Sequence, residues 1–511
     1  MEKEVGTMIQ IDKKKKKKKK KYNERKEERK EKEKLEEKDK EVNSKVDILF
    51  RCDFSSTQVK VMLARGWKQV VVGVEVENGK GKKGYKIPRF SFFGLYEVID
   101  PIDNTWHLWW CETSEARQIL DSKLEAHQKI PHFRNHYELT RKNYLYRNLK
   151  RYKKLLTKSG KQAEAELCDS MPITFELPSE YRMFVEEYQK QPGSIWIVKP
   201  VGRSQGKGIF LFRRLKDLID WKSSRIEKQQ SEGPVETFVV QKYIDDPYLL
   251  AGRKFDLRIY VLVTSFHPLK VWLAREGFAR LSSQLFDLKN INDNRVHLTN
   301  MAIQLKRSKE DERMNNGPLN EDRKRSCKWA LIKFREYLTA RHGVSIVETV
   351  LQRITGVIMA SLLAVQPVMM QGRNSFELYG YDVILDESLT PWLLEVNASP
   401  SLSATDTEDY RLKFDLIDDV LNIIDLERRF TGRETRIGGF DLIWFNDGPV
   451  WTTTMSSPIC GQNRYFVKKL NVFLGARNDR IKQLYRLHEV LEEMKKSKEN
   501  FEIENILCEN L

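Results

Sequence analysis

The second half of the chain alternates short apolar runs with turns, and this pattern predicts antiparallel strands. From Ser194 onward the candidate strands are IWIVKP, GIFLF, TFVVQKYI, FDLRIYVLVTSF, LKVWLA, YGYDVILD and TPWLLEVN. Gly, Pro and Asp residues separate them, as in hairpin connections. Helical periodicity is found between strands at Lys328–Ala340 and Ser345–Gln366. We therefore expect an α+β fold built on antiparallel hairpins.

The first part of the chain has a different texture. Between residues 46 and 190 strand-like and helix-like stretches alternate, which predicts a separate N-terminal α/β domain. Residues 70–100 hold two apolar runs around a Gly/Lys turn, so they are a candidate hairpin and insertion. RKNYLYRNLKRYKKLL is typical of a basic amphipathic helix with a solvated polar face. A catalytic region is expected at 191–430, and a partly helical C-terminal extension at 431–511.

Charge is concentrated at the N-terminus. Residues 1–45 hold 19 basic and 12 acidic residues, including the lysine run Lys13 to Lys21, and almost no apolar side chains. Such a segment cannot bury enough apolar area to offset its ordering entropy, so a disordered basic tail is predicted. The net charge of +17 leaves a basic surplus on the remaining residues, which favours an acidic partner: nucleic acid, anionic membrane or acidic protein.

Cysteine spacing and hydropathy exclude some classes of protein. The six cysteines are scattered without a CxxC pair, which argues against a zinc module and fits a reducing compartment. We find no uninterrupted apolar run of about 18 residues and no signal-peptide core, so neither a transmembrane helix nor a secretory signal is expected.

A carboxylate and an amide interrupt an apolar strand near the end of the sheet pattern. In PWLLEVN, side chains two residues apart share a face, so Glu395 and Asn397 are expected to point the same way, together with Leu393. The preceding strand of the predicted hairpin brings Asp382 to the same patch. Such oxygen ligands suit Mg²⁺ beside a polyphosphate. A salt-bridged pair of acids on an edge strand is the alternative.

A glycine-rich connection lies between two of the candidate strands. KPVGRSQGKG has neither Walker nor Rossmann spacing and lacks the helix that those motifs require. Gly202, Gly206 and Gly208 suit a hairpin lid whose backbone amides reach over phosphates, and Lys199 could contact a phosphate. The alternative is a mobile basic hairpin tip.

A third strand separates apolar from charged residues. In RKFDLRIYVLV, Phe255, Leu257, Ile259 and Val261 lie on one face, while Lys254, Asp256 and Arg258 lie on the other. Three charges on one face of a strand otherwise suited to burial predict a charged pocket. Further polar candidates are Arg280 in REGFAR and Thr299 and Asn300 in HLTN, and QKYI could meet a flat ligand such as adenine with backbone hydrogen bonds.

These motifs together resemble a known family. KPxGxxQGKGI, QKYI, RKFDLRxYVLVT, HLTN, YDVxLD and PWLLEVNxSPSL occur in the order found in the tubulin–tyrosine ligase-like family of ATP-grasp amino-acid ligases, which act on tubulin tails. The resemblance covers about Phe133 to Asp425, includes HFRNHYELTRK, and is strongest to the short polyglutamylase members. It implies an ATP-grasp ligase fold, preceded here by the α/β domain and the basic tail.

The resemblance also implies roles for individual residues. ATP would be held by Lys199, Gln205, Gly206, Gln241, Lys242, Tyr243, Ile244, Lys254, Phe255, Asp256, Thr299 and Asn300. Mg²⁺ would be held by Asp382, Glu395 and Asn397. Arg258, Arg280, Lys328 and Gln205 would act at the reacting groups of the amino acid and the acceptor.

The function implied is ATP- and Mg²⁺-dependent addition of glutamate to glutamate side chains of tubulin C-terminal tails through an acyl phosphate. The implied location is the cytoplasm and cytoskeleton, including the axoneme and basal body of cilia or flagella, with other polyglutamylase subunits as possible partners. A glycine- or tyrosine-adding ligase of the same family, a small-molecule kinase and a non-catalytic microtubule-binding protein remain open. A nucleic-acid partner is disfavoured because zinc spacing and RNP-like motifs are missing, and a membrane partner is not expected.

Overall fold

A computed structural model describes most of the chain from residue 47 to residue 496. The described ranges are 47–52, 56–72, 74–78, 82–86, 96–99, 105–201, 206, 208–228, 237–304, 327–446, 448–450, 473–476, 479–485, 487, 489, 492–493 and 496. The predicted tail at 1–45 and Gln205 lie outside them. The main body begins at Leu49. The boundaries expected at 190 and 430 stay predictions.

The N-terminal part of the body is built on a parallel sheet. Its elements are β1 (Leu49–Cys52), α1 (Thr57–Ala64), β2 (Lys68–Val72), β5 (Tyr96–Ile99), β6 (Leu108–Trp110) and α2 (Thr113–Asp121). The strand order is β5-β2-β1-β6, and all three strand pairs are parallel. Parallel strands, with helix α1 connecting β1 to β2, are the α/β pattern predicted for this region.

A separate hairpin lies within the candidate insertion. Strands β3 (Val74–Asn78) and β4 (Lys82–Lys86) pair with each other in antiparallel fashion, with Val76 opposite Gly84. The described residues therefore form a hairpin around the Gly/Lys turn, as its sequence predicts.

A helical connection links the parallel sheet to the rest of the body. It comprises α3 (Tyr137–Thr140), α4 (Lys142–Lys158), α5 (Gln162–Leu167) and a 3₁₀ turn at Cys168–Ser170. Helix α4 is the predicted amphipathic helix. It buries Leu145, Leu149 and Leu156 in the main core and leaves basic side chains exposed.

The second sheet is small and antiparallel. It has the order β7-β10-β8-β9 and is covered by two helices. Its elements are β7 (Thr174–Leu177), α6 (Tyr181–Lys190), β8 (Trp196–Pro200), β9 (Phe210–Phe212), α7 (Leu215–Lys228) and β10 (Phe238–Lys242). Its core is aromatic: Phe184 packs edge-on against Trp196, with ring centroids 5.1 Å apart, and also meets Phe212.

The third sheet is the largest and is antiparallel throughout. Its main path runs β16-β15-β12-β13-β18-β17, with three short strands attached to it. The strands are β11 (Leu249–Leu250), β12 (Arg253–Phe266), β13 (Leu269–Leu281), β14 (Lys328–Ala330), β15 (Glu377–Leu385), β16 (Pro391–Asn397), β17 (Arg436–Ile437), β18 (Phe440–Phe445) and β19 (Gly448–Pro449). The predicted antiparallel hairpins are confirmed. Together with the helices between them they make up the α+β fold.

Helices complete this sheet. Two short helices, α8 (Asn294–His297) and α9 (Met301–Gln304), follow β13; α10 (Leu331–His342), α11 (Val344–Val365), a 3₁₀ turn at Gln366–Val368 and α12 (Thr407–Ile424) follow β14. Asp406 caps α12 by accepting a hydrogen bond from the Asp409 N–H at 2.8 Å.

Helix α11 is long and apolar enough to cross a membrane by length and composition alone. Its apolar window is 67% buried within the protein, where it packs against α4, α10 and β16. Glu348 and Arg353 interrupt its apolar sequence. Burial in the main core accounts for its hydropathy, because a core helix is apolar on most of its faces.

Strand β12 places the charged face where the sequence predicts. Phe255, Leu257, Ile259 and Val261 are buried in the main core between the sheet and the helices. The alternate side chains therefore face away from that core, toward the second sheet.

Candidate active site

A cleft of about 860 Å³ lies between the second and third sheets. Its lining includes most of the residues predicted to hold ATP: Lys199, Gly206, Gln241, Lys242, Tyr243, Ile244, Lys254, Phe255, Asp256, Thr299 and Asn300. Arg280, Asp382 and Glu395 line the same cleft. Residues that are more than 180 positions apart in the sequence therefore meet here, because β8, β10, β12, β13, β15 and β16 border one space.

Two buried lysines form one wall. The Lys199 ammonium donates to Gln241 Oε1 at 2.6 Å, and the Lys254 ammonium donates to the Tyr243 hydroxyl at 2.7 Å. Burial and the nearby charge of Lys142 lower the pKa of Lys199 to about 8. Burial and the charge of Lys199 lower the pKa of Lys254 to about 7. An anionic ligand between them would reverse both effects, so this wall is suited to phosphate groups.

Hydrogen bonds fix the side chains behind the lysines. Gln241 Nε2 donates to Thr174 Oγ1 at 2.8 Å, and the Tyr243 hydroxyl pairs with His297 Nδ1 at 3.0 Å. Burial raises the pKa of Tyr243 above its usual value, so its hydroxyl stays protonated. The lysine positions are thereby held by a connected, buried polar network.

Apolar side chains line the remainder of this wall. Ile197, Ile209, Ile244, Leu298 and Ile384 border the cleft beside the lysines. A narrow apolar region next to cationic groups accommodates a flat ring linked to phosphates, since stacking surface and charge are supplied side by side. The adenine contact predicted for QKYI is compatible with this placement.

The opposite wall carries the carboxylate–amide group. In the β15–β16 pair, Asp382 lies opposite Glu395, and Gly380 lies opposite Asn397. The Asn397 amide lies 3.4 Å from Asp382 Oδ2 and 3.5 Å from Glu395 Oε1. The two strands thus bring the three predicted metal ligands together.

Leu393 does not share their face, and this part of the sequence prediction is wrong. Leu393 is fully buried in the main core, whereas Glu395 borders the cleft. The strand pairing shifts register between Asp382 and Val383, which leaves Leu394 as the extra residue of a β-bulge. A bulge reverses the alternation of side chains, so strict two-residue spacing fails across it.

Basic side chains compensate the two carboxylates. Arg258 Nε and Nη2 donate to Asp382 at 2.6 and 3.1 Å, and Arg280 Nη2 lies 2.8 Å from Asp382 Oδ2. Lys142 Nζ lies 2.8 Å from Glu395 Oε2. Burial alone would raise the pKa of Glu395, but the charge and hydrogen bond of Lys142 hold it below its usual value.

The donor set fits Mg²⁺. Among the described residues no three His, Cys, Asp or Glu side chains come together as a metal site, so an ion here would take Asn397 as its third ligand. The Asn397 amide can rotate to present Oδ1 in place of its nitrogen. Carboxylate and amide oxygens are the ligands that Mg²⁺ prefers, and the ion usually completes its shell with water and phosphate oxygens.

The two arginines belong to a buried ion-pair network. Arg280 pairs with Asp256 as well as Asp382, with its Nε 2.7 Å from Asp256 Oδ1. Although burial alone would lower the pKa of Arg280, its two carboxylate partners hold it well above the usual value. Asp256 is therefore engaged by Arg280, so its predicted contact with ATP would have to use this paired carboxylate.

Lys328 lies on the strand next to Arg280 but outside the cleft lining. It is the cross-strand partner of Arg280 in the β13–β14 pair. Its ammonium forms an ion pair with Asp409 and lies 3.8 Å from the centre of the Phe278 ring. Burial lowers the pKa of Lys328. Its role in binding the amino acid stays a prediction. To contact the amino acid, Lys328 would have to give up its ion pair with Asp409.

The described part of the glycine-rich connection touches the cleft. Gly206 has φ +73°, and a Cβ there would come within 2.5 Å of Ile303 Cδ1 and 3.2 Å of Asn300 Oδ1. Only glycine adopts this conformation easily so close to a neighbour. The predicted lid residue Gly206 thus lies over the loop that carries Thr299 and Asn300. Gln205, predicted for both ATP and catalysis, is outside the described residues.

Sequence reasoning missed Lys142, His297 and Thr174. Lys142 contacts Glu395, and His297 and Thr174 orient Tyr243 and Gln241. Lys142 closes the motif HFRNHYELTRK, which was a usable signal. The other two act through a neighbouring residue, so nothing in their local sequence marks them.

The two sheets and the cleft between them define the class: an ATP-grasp-like α+β protein with a charged site. The family model described as the tubulin-tyrosine ligase family matches residues 120–431. The chain therefore belongs to the tubulin-tyrosine ligase family.

Curated relatives agree with this assignment. The chain is similar to "Probable tubulin polyglutamylase TTLL9" of Mus musculus, with 45% identity over 432 residues, 79% of this chain and 90% of the relative. It is 43% identical over 347 residues to "Probable tubulin polyglutamylase ttll-9" of Caenorhabditis elegans, covering 68% and 79%. It is 38% identical over 383 residues to "Probable alpha-tubulin polyglutamylase Ttll1" of Tetrahymena thermophila, covering 70% and 89%. The predicted resemblance to polyglutamylase members is confirmed.

Proposed function

We propose that this chain is a ligase that adds glutamate to glutamate side chains of tubulin C-terminal tails, using ATP and Mg²⁺. The observation that carries the proposal is the cleft itself: buried lysines and a carboxylate–amide group line one space between the two sheets. Tubulin is proposed as the substrate because the relatives, which are matched over most of their length, are named tubulin polyglutamylases.

ATP would occupy the cleft with its phosphates between the lysines and the carboxylates. The base would lie against the apolar wall formed by Ile197, Ile244 and Leu298. Lys199 and Lys254 would pair with phosphate oxygens, and Gly206 would lie over them. Asp382, Glu395 and Asn397 would hold Mg²⁺, which when bound neutralises charge on the β- and γ-phosphates.

The reaction forms an amide in two steps. A carboxylate oxygen of the acceptor attacks the γ-phosphorus, the bond to the β-phosphate oxygen breaks, and an acyl phosphate and ADP result. The α-amine of free glutamate then attacks the acyl carbon, loses a proton, and inorganic phosphate leaves. Arg258 and Arg280, which both pair with Asp382, would stabilise the negative charge that develops on the acyl oxygen as the amine adds.

The donor amino acid is assigned by charge. Free glutamate brings a side-chain carboxylate that glycine lacks, and Lys328, the cross-strand neighbour of Arg280, would exchange its ion pair with Asp409 for that carboxylate. The cytoplasm and the cytoskeleton, including axonemes and basal bodies, are the proposed location because tubulin tails are displayed there. Other polyglutamylase subunits are proposed as partners of the active form.

The test uses protein purified from cells together with its associated subunits. Microtubules, ATP, Mg²⁺ and one labelled amino acid at a time are supplied, and label in tubulin tails is measured. Label from glutamate, with one ADP and one phosphate released per amide, is expected. Label from glycine alone would overturn the donor assignment, and phosphate retained on the product would indicate a kinase.

A further inference from the structure

Helix α4 presents a stripe of cations that the cleft does not use. Arg147, Lys150, Arg151 and Lys154 are all exposed on this helix. They recur at spacings of three and four residues, which place side chains on one helical face. Two of the charged groups lie over tyrosine rings: the Lys150 ammonium is 4.5 Å from the centre of the Tyr146 ring, and Arg147 Cζ is 5.3 Å from that of Tyr144. Packing against the core explains the apolar face of α4, but it does not require four cations on the exposed face.

The stripe forms one side of a groove. A depression of about 760 Å³ is lined by the four cations, by Thr174 and Glu176 of β7, and by Glu180 just before α6. Glu176 is engaged by Arg147 at 3.0 Å, and Glu180 accepts from the Glu176 N–H at 2.7 Å. Arg151 donates to the Ala364 carbonyl at 3.3 Å. Lys150 and Lys154 have no ion-pair partner among the contacts of the described residues.

The groove adjoins the catalytic cleft. Lys142, the first residue of α4, lies in the cleft against Glu395. At the other side, Thr174 lines the groove while its hydroxyl accepts from Gln241, which lines the cleft. At about 1.5 Å per residue, α4 carries positive charge over roughly 18 Å from Lys142 to Lys154. An extended peptide covers that distance in about five to six residues.

We propose that this groove binds the acidic residues that flank the modified glutamate of the acceptor tail. The inference rests on the proposed function, since it assigns the acceptor side of the same site. The occupant is an acidic peptide because the cations exceed the acids in the groove and lead directly to the carboxylate chemistry. Glu176 and Glu180 lie on the wall opposite α4, so the carboxylates of the peptide would face the cations of the helix.

The first experiment measures binding without catalysis. Fluorescence anisotropy is recorded for a Glu-rich peptide and for a counterpart in which every glutamate but the acceptor is Gln. The stripe variant is Arg147→Gln/Lys150→Gln/Lys154→Gln, which spares Arg151 because of its carbonyl contact. Glutamine has a helix propensity close to those of Lys and Arg, so α4 should be retained. The control is Lys123→Gln/Lys216→Gln/Lys289→Gln, which removes the same charge from exposed sites outside α4.

The stripe variant is expected to bind the Glu-rich peptide roughly 10-fold more weakly, because three exposed charge contacts are lost. The control variant should bind like the wild type, and the Gln counterpart should bind weakly to all three proteins. Equal affinity of the stripe and control variants would overturn the proposal. So would a single-stranded oligonucleotide that binds as tightly as the Glu-rich peptide and loses as much affinity in the stripe variant.

The second experiment separates this proposal from the proposed function. In ligation assays the stripe variant should show a KM for the Glu-rich peptide about 10-fold higher with kcat nearly unchanged, a loss of binding shared by ground and transition states. If peptide binding depends on the stripe but the intact complex forms no amide, the proposed ligase activity is refuted and the proposed peptide binding by the groove stands. Ligation with an unchanged KM in the stripe variant would refute the groove and leave the ligase.

Discussion

The Lys142 ammonium lies 2.8 Å from Glu395 Oε2 and links the first turn of α4 to strand β16. This pair sets the charge of the predicted metal ligand, because burial favours a neutral Glu395 while Lys142 favours the carboxylate. It also joins the helix that carries the basic stripe to the strand that carries the metal group.

Replacing Lys142 with Met should shift the acidic limb of the pH–rate profile. In the wild type the pKa of Glu395 is below its usual value, so its carboxylate is retained as the pH falls. Without Lys142, burial becomes dominant and the pKa rises, so activity should disappear at a higher pH. Profiles of kcat/KM for wild type, Lys142→Met and Lys142→Arg would test this. Lys142→Arg should resemble the wild type, and parallel limbs for all three proteins would contradict the assignment.

Glu395→Gln should reduce turnover by at least about 100-fold, or roughly 2.7 kcal/mol of activation free energy, while the protein stays folded. The substitution removes one negative charge and one oxygen ligand from the group formed with Asp382 and Asn397. Turnover, Mg²⁺ dependence and thermal unfolding would be compared with Glu387→Gln, which changes an exposed glutamate on the same hairpin. Normal turnover in dilute Mg²⁺ would exclude Glu395 as a ligand.

The hairpin that carries these ligands shows how far the sequence leads. Its strands, its turn at Asp386 and the convergence of Asp382 with Asn397 follow from alternation and turn residues, which are local properties. The position of Leu393 does not, because the bulge at Leu394 depends on pairing with β15. Alternation therefore predicts a face only as far as the next change of register.

The ion-pair partners of the charged side chains could not be predicted from the sequence. The charged face of β12 is predicted because the charges alternate with core residues in one strand. The pairing of Arg280 with Asp256, or of Lys142 with Glu395, depends on which strands and helices become neighbours. Lys328 illustrates the same limit, since its contact with Asp409 comes from a helix about 80 positions later.

ATP binding should take up protons near pH 8. Lys199 has a pKa of about 8, so about half of its side chains are neutral at that pH. Lys254 has a pKa of about 7, so most of its side chains are neutral. Phosphates favour the charged forms, so binding raises both pKa values, and affinity should weaken as pH rises. Calorimetry in two buffers of different ionisation enthalpy measures the uptake.

The Lys254→Arg variant is the control for this measurement. Lys254→Arg keeps a positive charge that does not titrate, so it should remove the contribution of that residue to proton uptake. Uptake should also vanish near pH 6, where both lysines already carry their protons. The same enthalpy in both buffers near pH 8 would place the phosphates away from these lysines.

Gly206→Ala should weaken ATP binding about 10-fold or more, because the added Cβ meets Ile303 and Asn300 beside the cleft. Gly193→Ala is the matched control: its φ is +86°, but nothing lies within 4 Å of the added Cβ. Both variants share the strain of a positive φ, typically about 1 kcal/mol, so their difference isolates the contact. Equal ATP affinities and equal unfolding temperatures would mean that Gly206 does not limit the cleft.

Lys328→Ala should raise the KM for glutamate or lower kcat by about 10-fold, with little change in ATP affinity. Lys328 is the cross-strand neighbour of Arg280, outside the cleft lining, and is the cation proposed for the donor's side-chain carboxylate. The fold should tolerate the change, since Asp409 keeps its ion pair with Lys413 at 2.9 Å. Steady-state kinetics with glutamate and ATP varied separately measure the effect, and Lys333→Ala, an exposed lysine on α10, is the control. A rise in the KM for ATP without one for glutamate would place Lys328 at the phosphates instead, because only a group that contacts the donor changes the donor's kinetic constants alone.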